Sequence, residues 1–360
     1  MEMPVARTAG KLLDEVAARE PTKTAIICGD VSLSYGELNE QVNRGARSLL
    51  ALGAGRGDHV AVLIGNRPEW VVMYFATARI GAVLVPLNTW YRRSELEWTL
   101  RHTNAKLLVY IDKFLGHDYV DELSGIIPQS DALVGESASP RRAGAIVLDS
   151  SQPPASALDD FFTIGRDVSD ERLAAAVDAV TPDDVHCILY TSGSTADPKG
   201  VPLRQGGIVE NGFGIGERRG LVPSDRVWLG SPLFYALGAV NALPATVTHG
   251  ATLIVQGHFT AASAIDTIER DQATMFYGTS NMIRAIRDDP SYAPKRLSSL
   301  RGGAAGISGE ERRILIEEFG ATGATPSYGS TETYGNAAGG SKMTQSEANA
   351  ATSSNTSDWS

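Results

Sequence analysis

The stretch YTSGSTADPKGV, residues 190–201, follows the apolar run HCIL and combines four Ser or Thr side chains with two glycines, one proline and one lysine. A loop that holds a polyphosphate needs closely approaching backbone N–H groups, hydroxyl donors and a fixed positive charge. Residues 190–201 contain all of these parts. The same residue types are common in a solvated turn between a strand and a helix, so composition alone leaves both interpretations open.

The position of the lysine excludes one familiar type of phosphate loop. The pattern G-x-x-x-x-G-K-[ST] requires a glycine directly before its lysine. In this chain Pro198 precedes Lys199. The stretch is therefore not a Walker A loop, and any phosphate that it holds is held in another way.

Strand-like and helix-like segments alternate along the chain on both sides of this loop. Ser34 and Glu37 have the spacing of a capping box, which predicts a helix from about Tyr35 to Gly53. The apolar run HVAVLI predicts the next strand, and a second helix is expected to begin near Pro68. This alternation predicts an α/β fold with mostly parallel sheets.

We expect two α/β subdomains, about 1–180 and 181–335, within one core. The second is predicted from the strand-like runs VHCILY, DRVWLG, ATLIVQG, ATMFYGT and LSSLRGG. Residues 125–170 are weakly periodic and rich in Ser, Ala and Pro, which predicts a variable connection. Residues 336–360 contain no Leu, Ile, Val or Phe, so we expect disorder there.

Composition limits the class of protein. The 360 residues are 42% hydrophobic and 21% charged, and the net charge of −10 weighs against nucleic-acid or anionic-lipid binding. Cys28 and Cys187 lie in apolar runs, which is typical of buried reduced thiols, and the histidines form no ligand set. No signal peptide is recognisable, and Arg79 interrupts the most apolar stretch, residues 70–87. We expect no transmembrane segment and a cytoplasmic location; nothing indicates an oligomeric state.

Five further segments occur in the order that one known family shows. They are LSYGELNEQVNRGARSLLALGAGRGDHVAVLIGNRPEW from Leu33, IGAVLVPLN from Ile80, SPLFYALG from Ser231, RGGAAG from Arg301 and YGSTE from Tyr328. With the loop at 190–201, they resemble the adenylate-forming (AMP-binding) superfamily, of the acyl-CoA synthetase or CoA ligase type. The resemblance covers roughly residues 10–335.

The resemblance implies a fold, a reaction and cofactors. The fold is the N-terminal core of the adenylate-forming enzymes, over residues 1–335. The reaction is the ATP-dependent activation of a small-molecule carboxylate, a fatty or aryl acid, to an acyl-adenylate with release of pyrophosphate. Mg²⁺ assists, and coenzyme A normally accepts the acyl group. The enzyme is by family an acid–thiol ligase.

The resemblance also assigns roles to single residues. The loop residues expected to hold the ATP phosphates are Thr191, Ser192, Gly193, Ser194, Thr195 and Lys199. The residues expected around adenine and the α-phosphate are Gly303, Ala304, Ala305, Tyr328, Gly329, Ser330 and Thr331. Thr331, Glu332 and Lys199 are the catalytic candidates, and Glu332 is the candidate ligand of Mg²⁺, a hard cation that needs only one or two carboxylates. Individually, each has an alternative: Tyr328 as a core aromatic, Glu332 as a charge that begins a helix, Gly302 and Gly303 as a bulge.

The acyl site is assigned by the same resemblance. The residues expected to line the carboxylate pocket are Tyr235, Gly238, Gly278 and Thr279. Tyr235 stands where the family frequently has histidine, and an ordinary core tyrosine is the alternative. Small residues leave room for a ligand, whereas aromatic residues form walls.

Three departures from the family pattern lead to further expectations. Ala196 replaces the usual glycine of the loop, and the sequence contains no T-G-D motif for the ribose. The third is that no later domain with a catalytic lysine is recognisable. We therefore expect a ligase core that is truncated after YGSTE, lacks the C-terminal lid domain and adenylates slowly. The alternative is a non-catalytic ATP- or acyl-binding remnant.

Overall fold

A computed structural model describes residues 2–126, 141–142, 144–153, 156–191, 198–305, 309–335 and 338–339. The predicted phosphate-loop residues 192–197 lie outside these ranges, as does all of the predicted tail except residues 338–339. Within the described ranges, none of the helices combines the length and the apolar character that a membrane span requires.

In the described ranges, seventeen strands form two large sheets and one small hairpin. In chain order they are β1 Thr24–Cys28, β2 Val31–Ser34, β3 His59–Leu63, β4 Val83–Pro86, β5 Leu107–Ile111, β6 Lys113–Phe114, β7 His117–Asp118, β8 Arg141–Arg142, β9 Ala145–Leu148, β10 Val185–Thr191, β11 Lys199–Arg204, β12 Arg226–Leu229, β13 Thr252–Val255, β14 Met275–Tyr277, β15 Gly302–Ala305, β16 Gly323–Tyr328 and β17 Ala338–Gly339.

Twelve α-helices occur in the described part of the chain. They are α1 Ala9–Arg19, α2 Tyr35–Ala51, α3 Pro68–Arg79, α4 Arg93–Thr103, α5 Tyr119–Glu122, α6 Asp159–Ile164, α7 Asp170–Asp178, α8 Gln205–Arg219, α9 Leu243–Thr248, α10 Ala261–Arg270, α11 Ser280–Arg287 and α12 Gly309–Arg313. The described residues also form two π-helices, Leu237–Ala242 and Ile314–Glu318, and two 3₁₀ segments, Pro294–Leu297 and Thr331–Thr333.

Both large sheets are mainly parallel, as the sequence predicts. The first sheet has the order β11-β10-β4-β3-β5-β9-β8, and only its two edge strands pair antiparallel. The second has the order β17-β16-β15-β14-β12-β13-β1-β2 and is parallel from β16 to β1. The fold is an α/β core with two sheets.

The helices form three layers around the two sheets. Helices α1, α2, α3, α8 and α9 lie between the sheets, where one hydrophobic cluster joins residues of both. A second cluster packs α10, α11 and the π-helix Ile314–Glu318 on the outer face of the second sheet, and a third packs α4 on the outer face of the first. Because helix α3 is buried on all sides, its sequence is almost wholly apolar instead of amphipathic.

The predicted helix boundaries are confirmed at α2 and α3. The Ser34 side chain accepts a hydrogen bond from the Glu37 N–H at 3.2 Å, and the Glu37 carboxylate accepts one from the Ser34 N–H at 2.8 Å. This reciprocal pair is the capping box that the spacing predicts. Pro68 occupies the first turn of α3, and Gly81 takes a φ of +69° after its end.

Three features differ from the sequence expectations. Residues 125–170 contain β9 and α6, and Phe161 of α6 is buried in the central cluster, so this stretch contributes to the core. The sheets do not divide at residue 180: β1 and β2 lie in the second sheet, whereas β10 and β11 lie in the first. Finally, Ala338 and Gly339, expected to be disordered, pair with β16 as β17.

Candidate active site

The two ends of the predicted phosphate loop are held by a β-hairpin. Thr191 at the end of β10 pairs with Lys199 at the start of β11, in antiparallel register. Residues 192–198 join these two positions, so the loop begins and ends at one edge of the first sheet. The phosphate roles of Ser192, Gly193, Ser194 and Thr195 stay predictions because these residues lie outside the described ranges.

The end of β10 next to the predicted phosphate loop contacts helix α4 through Tyr190. From the sequence, this tyrosine was assigned no site role. The Tyr190 hydroxyl lies 2.7 Å from His102 Nδ1, and the Trp98 ring meets the Tyr190 ring edge-on at 6.0 Å. Burial raises the pKa of Tyr190 to about 12. The hydroxyl therefore stays protonated and available for this hydrogen bond.

The predicted adenine strand, β15, requires glycine at one position. Gly303 has a φ of +148°, and a Cβ there would lie 2.2 Å from the carbonyl oxygen of Phe276 on β14. Strands β14 and β16 pair with β15 in unbroken register, so Gly302 and Gly303 do not form a bulge. Ala304 is buried beside them, and the backbone of Ala305 pairs with that of Pro326.

Strand β16 leads directly into the turn that carries two catalytic candidates. The Tyr328 backbone ends the strand, and its ring position stays a prediction. Gly329 and Ser330 follow, and then the 3₁₀ segment. The Ser330 N–H donates to Thr333 Oγ1 at 2.9 Å, and the Gly335 N–H donates to the Ser330 carbonyl at 2.8 Å. The turn is thus closed on itself, with the Glu332 side chain exposed and Thr331 half-buried.

Lys199 and Glu332 come from different sheets but lie close in space. The 3₁₀ segment packs against β11. Hydrogen bonds from the Ser330 side chain and the backbone N–H of Glu332 lower the pKa of Glu332, and the positive charge of Lys199 lowers it further. Glu332 is therefore an ionised, exposed carboxylate whose segment packs against the strand of Lys199. It does not begin a helix, because the 3₁₀ segment ends at Thr333.

Glu332 has the chemistry that a Mg²⁺–nucleotide complex requires. Mg²⁺ prefers oxygen ligands and usually keeps several waters and phosphate oxygens around one or two carboxylates. Across the residues that the structure describes, no three His, Cys, Asp or Glu side chains gather into a metal-binding group. The exposed carboxylate of Glu332 fits the role of such a single carboxylate ligand.

The predicted carboxylate-pocket residues lie at the carboxyl ends of two neighbouring strands. Tyr235 and Gly238 follow β12, whereas Gly278 and Thr279 follow β14, which pairs with β12. The carboxyl ends of parallel strands share one sheet edge, where ligands of open α/β sheets bind. Tyr235 is 38% exposed, so it is not an ordinary core tyrosine.

Aromatic side chains surround Tyr235. Its hydroxyl accepts a hydrogen bond from Asn88 Nδ2 at 3.3 Å, and the rings of Phe234 and Trp90 lie 4.6 and 5.9 Å from its own. Partial burial raises the pKa of Tyr235. A protonated hydroxyl in an aromatic wall can donate a hydrogen bond to a carboxylate while the rings contact an apolar group.

A small cavity of about 210 Å³ opens behind this aromatic wall. It is lined chiefly by Asn66, Trp90, Phe114, Phe234, Phe259 and Met282. None of the four predicted pocket residues lines it, although Phe234 directly precedes Tyr235. Phe114, which the sequence did not indicate, enters from the β6–β7 hairpin; its ring fills the space that a Cβ on Gly65 would occupy.

Asn66 fixes the two sheets to each other next to this cavity. Its side-chain amide donates to the carbonyl oxygens of Ser231 and Gln256, both at 3.0 Å, and its Oδ1 accepts from the Leu233 N–H at 2.7 Å. Asn66 follows β3 of the first sheet, whereas its three partners follow β12 and β13 of the second. Both polar atoms of the Asn66 side chain therefore hydrogen-bond to the backbone of the second sheet's loops and are not free to bind a ligand.

A larger cavity, of about 580 Å³, lies elsewhere. It is bounded by β9 and α6, and none of the predicted site residues that the structure describes lines it. Four of its lining residues are aspartates, Asp112, Asp149, Asp159 and Asp160, which would repel a polyphosphate. Charge therefore favours the sheet edge near Lys199 and Glu332 over this cavity as the site for a polyphosphate.

Comparison with known proteins bears on the family of the chain. The family model described as AMP-binding enzyme matches residues 13–356. The mouse protein named medium-chain acyl-CoA ligase ACSF2, mitochondrial, is 31% identical over 347 residues, which are 90% of this chain and 55% of that protein. The chain spans 55% to 61% of the length of the first curated relatives that it matches.

Two solved structures share the fold. The inhibitor-bound N-terminal domain of FACL13 from Mycobacterium tuberculosis has a TM-score of 0.71 at 23% identity, covering 94% of this chain and 79% of that one. ATP-bound MatB from Rhodopseudomonas palustris has a TM-score of 0.76 at 24% identity, covering 94% and 63%. At this identity the likeness supports the fold alone. Together with the family match and the curated relatives, it leads to one conclusion: the chain belongs to the AMP-binding enzyme family, and its relatives are acyl-CoA synthetases and ligases.

Proposed function

We propose that the chain forms the nucleotide- and acyl-binding core of a ligase that activates a carboxylic acid with ATP. The product would be an acyl-adenylate, with release of pyrophosphate, and coenzyme A would then accept the acyl group as a thioester. One observation carries the proposal: the 3₁₀ segment that bears Thr331 and Glu332 packs against β11, the strand that begins at Lys199.

The proposed chemistry needs positioning and charge stabilisation. A carboxylate oxygen attacks the α-phosphorus of ATP, a new P–O bond forms, and the bond to pyrophosphate breaks. Charge develops on phosphate oxygens, where fixed cations and hydrogen-bond donors are most effective. In this proposal Lys199 holds the pyrophosphate end, Thr331 donates to the α-phosphate, and Glu332 holds Mg²⁺, which neutralises phosphate charge when bound.

The proposed substrate is a fatty or aryl acid. Support comes from the exposed Tyr235 hydroxyl beside the rings of Phe234 and Trp90, which offers one polar group within an apolar wall. The name of the mouse relative suggests that medium-chain acids be tested first. A cytoplasmic location is part of the proposal and rests on composition; the mouse relative, by its name, is mitochondrial.

The test is carboxylate-dependent exchange of pyrophosphate into ATP, measured over a panel of aliphatic and aryl acids. It is run on this chain and on the chain extended by the C-terminal part of a family member. We expect exchange from the extended protein with at least one acid, and loss of that exchange in Lys199→Ala. Absence of exchange with every acid, in the extended protein, would contradict the ligase assignment. If calorimetry then shows Mg²⁺-ATP binding without exchange, the non-catalytic nucleotide-binding alternative is favoured.

A further inference from the structure

Tyr334, which directly follows the 3₁₀ segment, connects the YGSTE turn to two other elements. Its ring lies against Gly207 on α8, where an added Cβ would lie 2.4 Å from ring atoms. Its hydroxyl accepts a hydrogen bond from the backbone N–H of Arg204 at 3.2 Å. Arg204 is the last residue of β11, and Lys199 is the first, so the tyrosine contacts the strand that carries the lysine.

Two side-chain amides hold the backbone at the same place. Asn211 Nδ2 on α8 donates to the Tyr334 carbonyl at 2.9 Å, and Asn241 Nδ2 on the π-helix donates to the Gly335 carbonyl at 3.5 Å. Asn241 is itself held, since its Oδ1 accepts from Arg219 Nη1 at 2.9 Å. A π-helix is uncommon and often marks a functional position. Here it joins the segment after Tyr235 to the exit of the YGSTE turn.

The backbone of Tyr334 is left-handed, with a φ of +56°. Bulky residues avoid this region, and they persist in it where surrounding contacts determine the conformation. The contacts of the ring, the hydroxyl and the carbonyl are such contacts. The left-handed turn also lets the Tyr334 N–H donate to the Thr331 carbonyl at 3.0 Å, which closes the 3₁₀ segment.

We propose that Tyr334 is a positioning residue. By packing its ring against Gly207 on α8, it fixes Thr331 and Glu332 relative to Lys199. The proposal deepens the function proposed above and rests on it. In this proposal the tyrosine acts through the turn that precedes it, and not by contact with the nucleotide. Loss of the ring should therefore loosen the phosphate and Mg²⁺ contacts and leave the adenosine contacts of β15 intact.

The test compares four proteins: wild type, Tyr334→Ala, Tyr334→Phe and Tyr292→Ala. Tyr292 is a matched control, because it is also half-buried and its hydroxyl donates to a backbone carbonyl, that of Glu318, at 2.8 Å. It packs against Phe319 on the outer face of the second sheet. Each protein is titrated with Mg²⁺-ATP and with adenosine by calorimetry, and amide exchange of residues 331–335 is measured by mass spectrometry.

Tyr334→Ala should weaken Mg²⁺-ATP binding about tenfold or more and adenosine binding less than about threefold, with faster exchange at 331–335. Tyr334→Phe retains the ring and should restore Mg²⁺-ATP affinity to within about threefold of wild type. Tyr292→Ala should lower the melting temperature without changing either affinity. Equal losses for Mg²⁺-ATP and adenosine, or unchanged exchange at 331–335 in Tyr334→Ala, would overturn the proposal.

The two proposals fail in distinguishable ways. If wild type binds no Mg²⁺-ATP, the proposed function is wrong. The role of Tyr334 in positioning Thr331 and Glu332 for the nucleotide is then wrong as well. The exchange comparison between Tyr334→Ala and Tyr292→Ala still decides whether the ring holds the turn. If wild type binds Mg²⁺-ATP and Tyr334→Ala binds it equally well, the proposed function stands and the positioning role is wrong.

Discussion

At the scale of the residue, Lys199 is an exposed cation fixed by strand pairing at the first position of β11. A charge-assisted contact with phosphate contributes about 1.5–3 kcal/mol, so Lys199→Ala should weaken Mg²⁺-ATP binding by about 10- to 100-fold. Calorimetry measures this change. Lys295→Ala, at an exposed position away from the site, serves as the control and should bind like wild type. If Lys199→Ala binds Mg²⁺-ATP with unchanged affinity, Lys199 does not contact the phosphates.

His186 predicts a pH dependence of stability. It is fully buried beside the Tyr74 ring, and in the described part of the chain neither of its ring nitrogens makes a hydrogen bond. Burial lowers the pKa of His186 from 6.5 to about 3. The folded protein thus keeps this histidine neutral while the unfolded chain takes up a proton, so stability is complete above pH 6.5 and falls toward pH 3.

Urea unfolding at pH 7.5 and 5.0 measures this contribution. At pH 5.0 the protonation of His186 in the unfolded chain should lower the free energy of unfolding by about 2 kcal/mol. His186→Leu should remove this part of the difference between pH 7.5 and 5.0. His258→Gln changes an exposed histidine and should leave the pH dependence as it is in wild type. If the free energy of unfolding falls equally between pH 7.5 and 5.0 in His186→Leu and in wild type, groups other than His186 cause the decrease.

At the scale of the element, β15 tolerates no side chain at its second position. The space that a Cβ on Gly303 would need is occupied by the Phe276 carbonyl, and the left-handed φ adds strain. Gly303→Ala should therefore separate β15 from β14 and destabilise the protein by about 3 kcal/mol or more. Gly309→Ala is the matched control, since an added Cβ there meets no atom within 4 Å and α12 favours alanine. Thermal unfolding of both variants checks the contrast.

Local signals in the sequence predict some elements well and others poorly. Capping at Ser34 and Pro68 predicts α2 and α3, because these signals depend only on neighbouring residues. Strand β9 is a run of four residues inside a Ser- and Pro-rich stretch, too short for its periodicity to be distinctive. The seat of the Tyr334 ring and the hydrogen bond of Tyr190 depend on residues distant in the chain. No local pattern contains that information.

At the scale of the whole molecule, each large sheet contains strands from both sides of the predicted boundary at residue 180. Strand β1 lies between β13 and β2, and β4 lies between β10 and β3, so in residues 1–180 each of these strands loses one of its two neighbours. A fragment of residues 1–180 should therefore show no cooperative thermal transition by circular dichroism, whereas the whole chain should unfold cooperatively. A cooperative transition in the fragment would show that residues 1–180 fold without the rest of the core.

The pairing of β1 with β13 has a consequence for synthesis in the cell. Ile26 lies opposite Leu253, more than two hundred residues later in the chain. At a translation rate of about 5–20 residues per second, β1 and β2 leave the ribosome about ten to fifty seconds before their partner exists. Until then, the apolar run TAIIC has an unpaired edge that can associate with other chains. Yield in a heterologous host should therefore depend on chaperone supply during elongation.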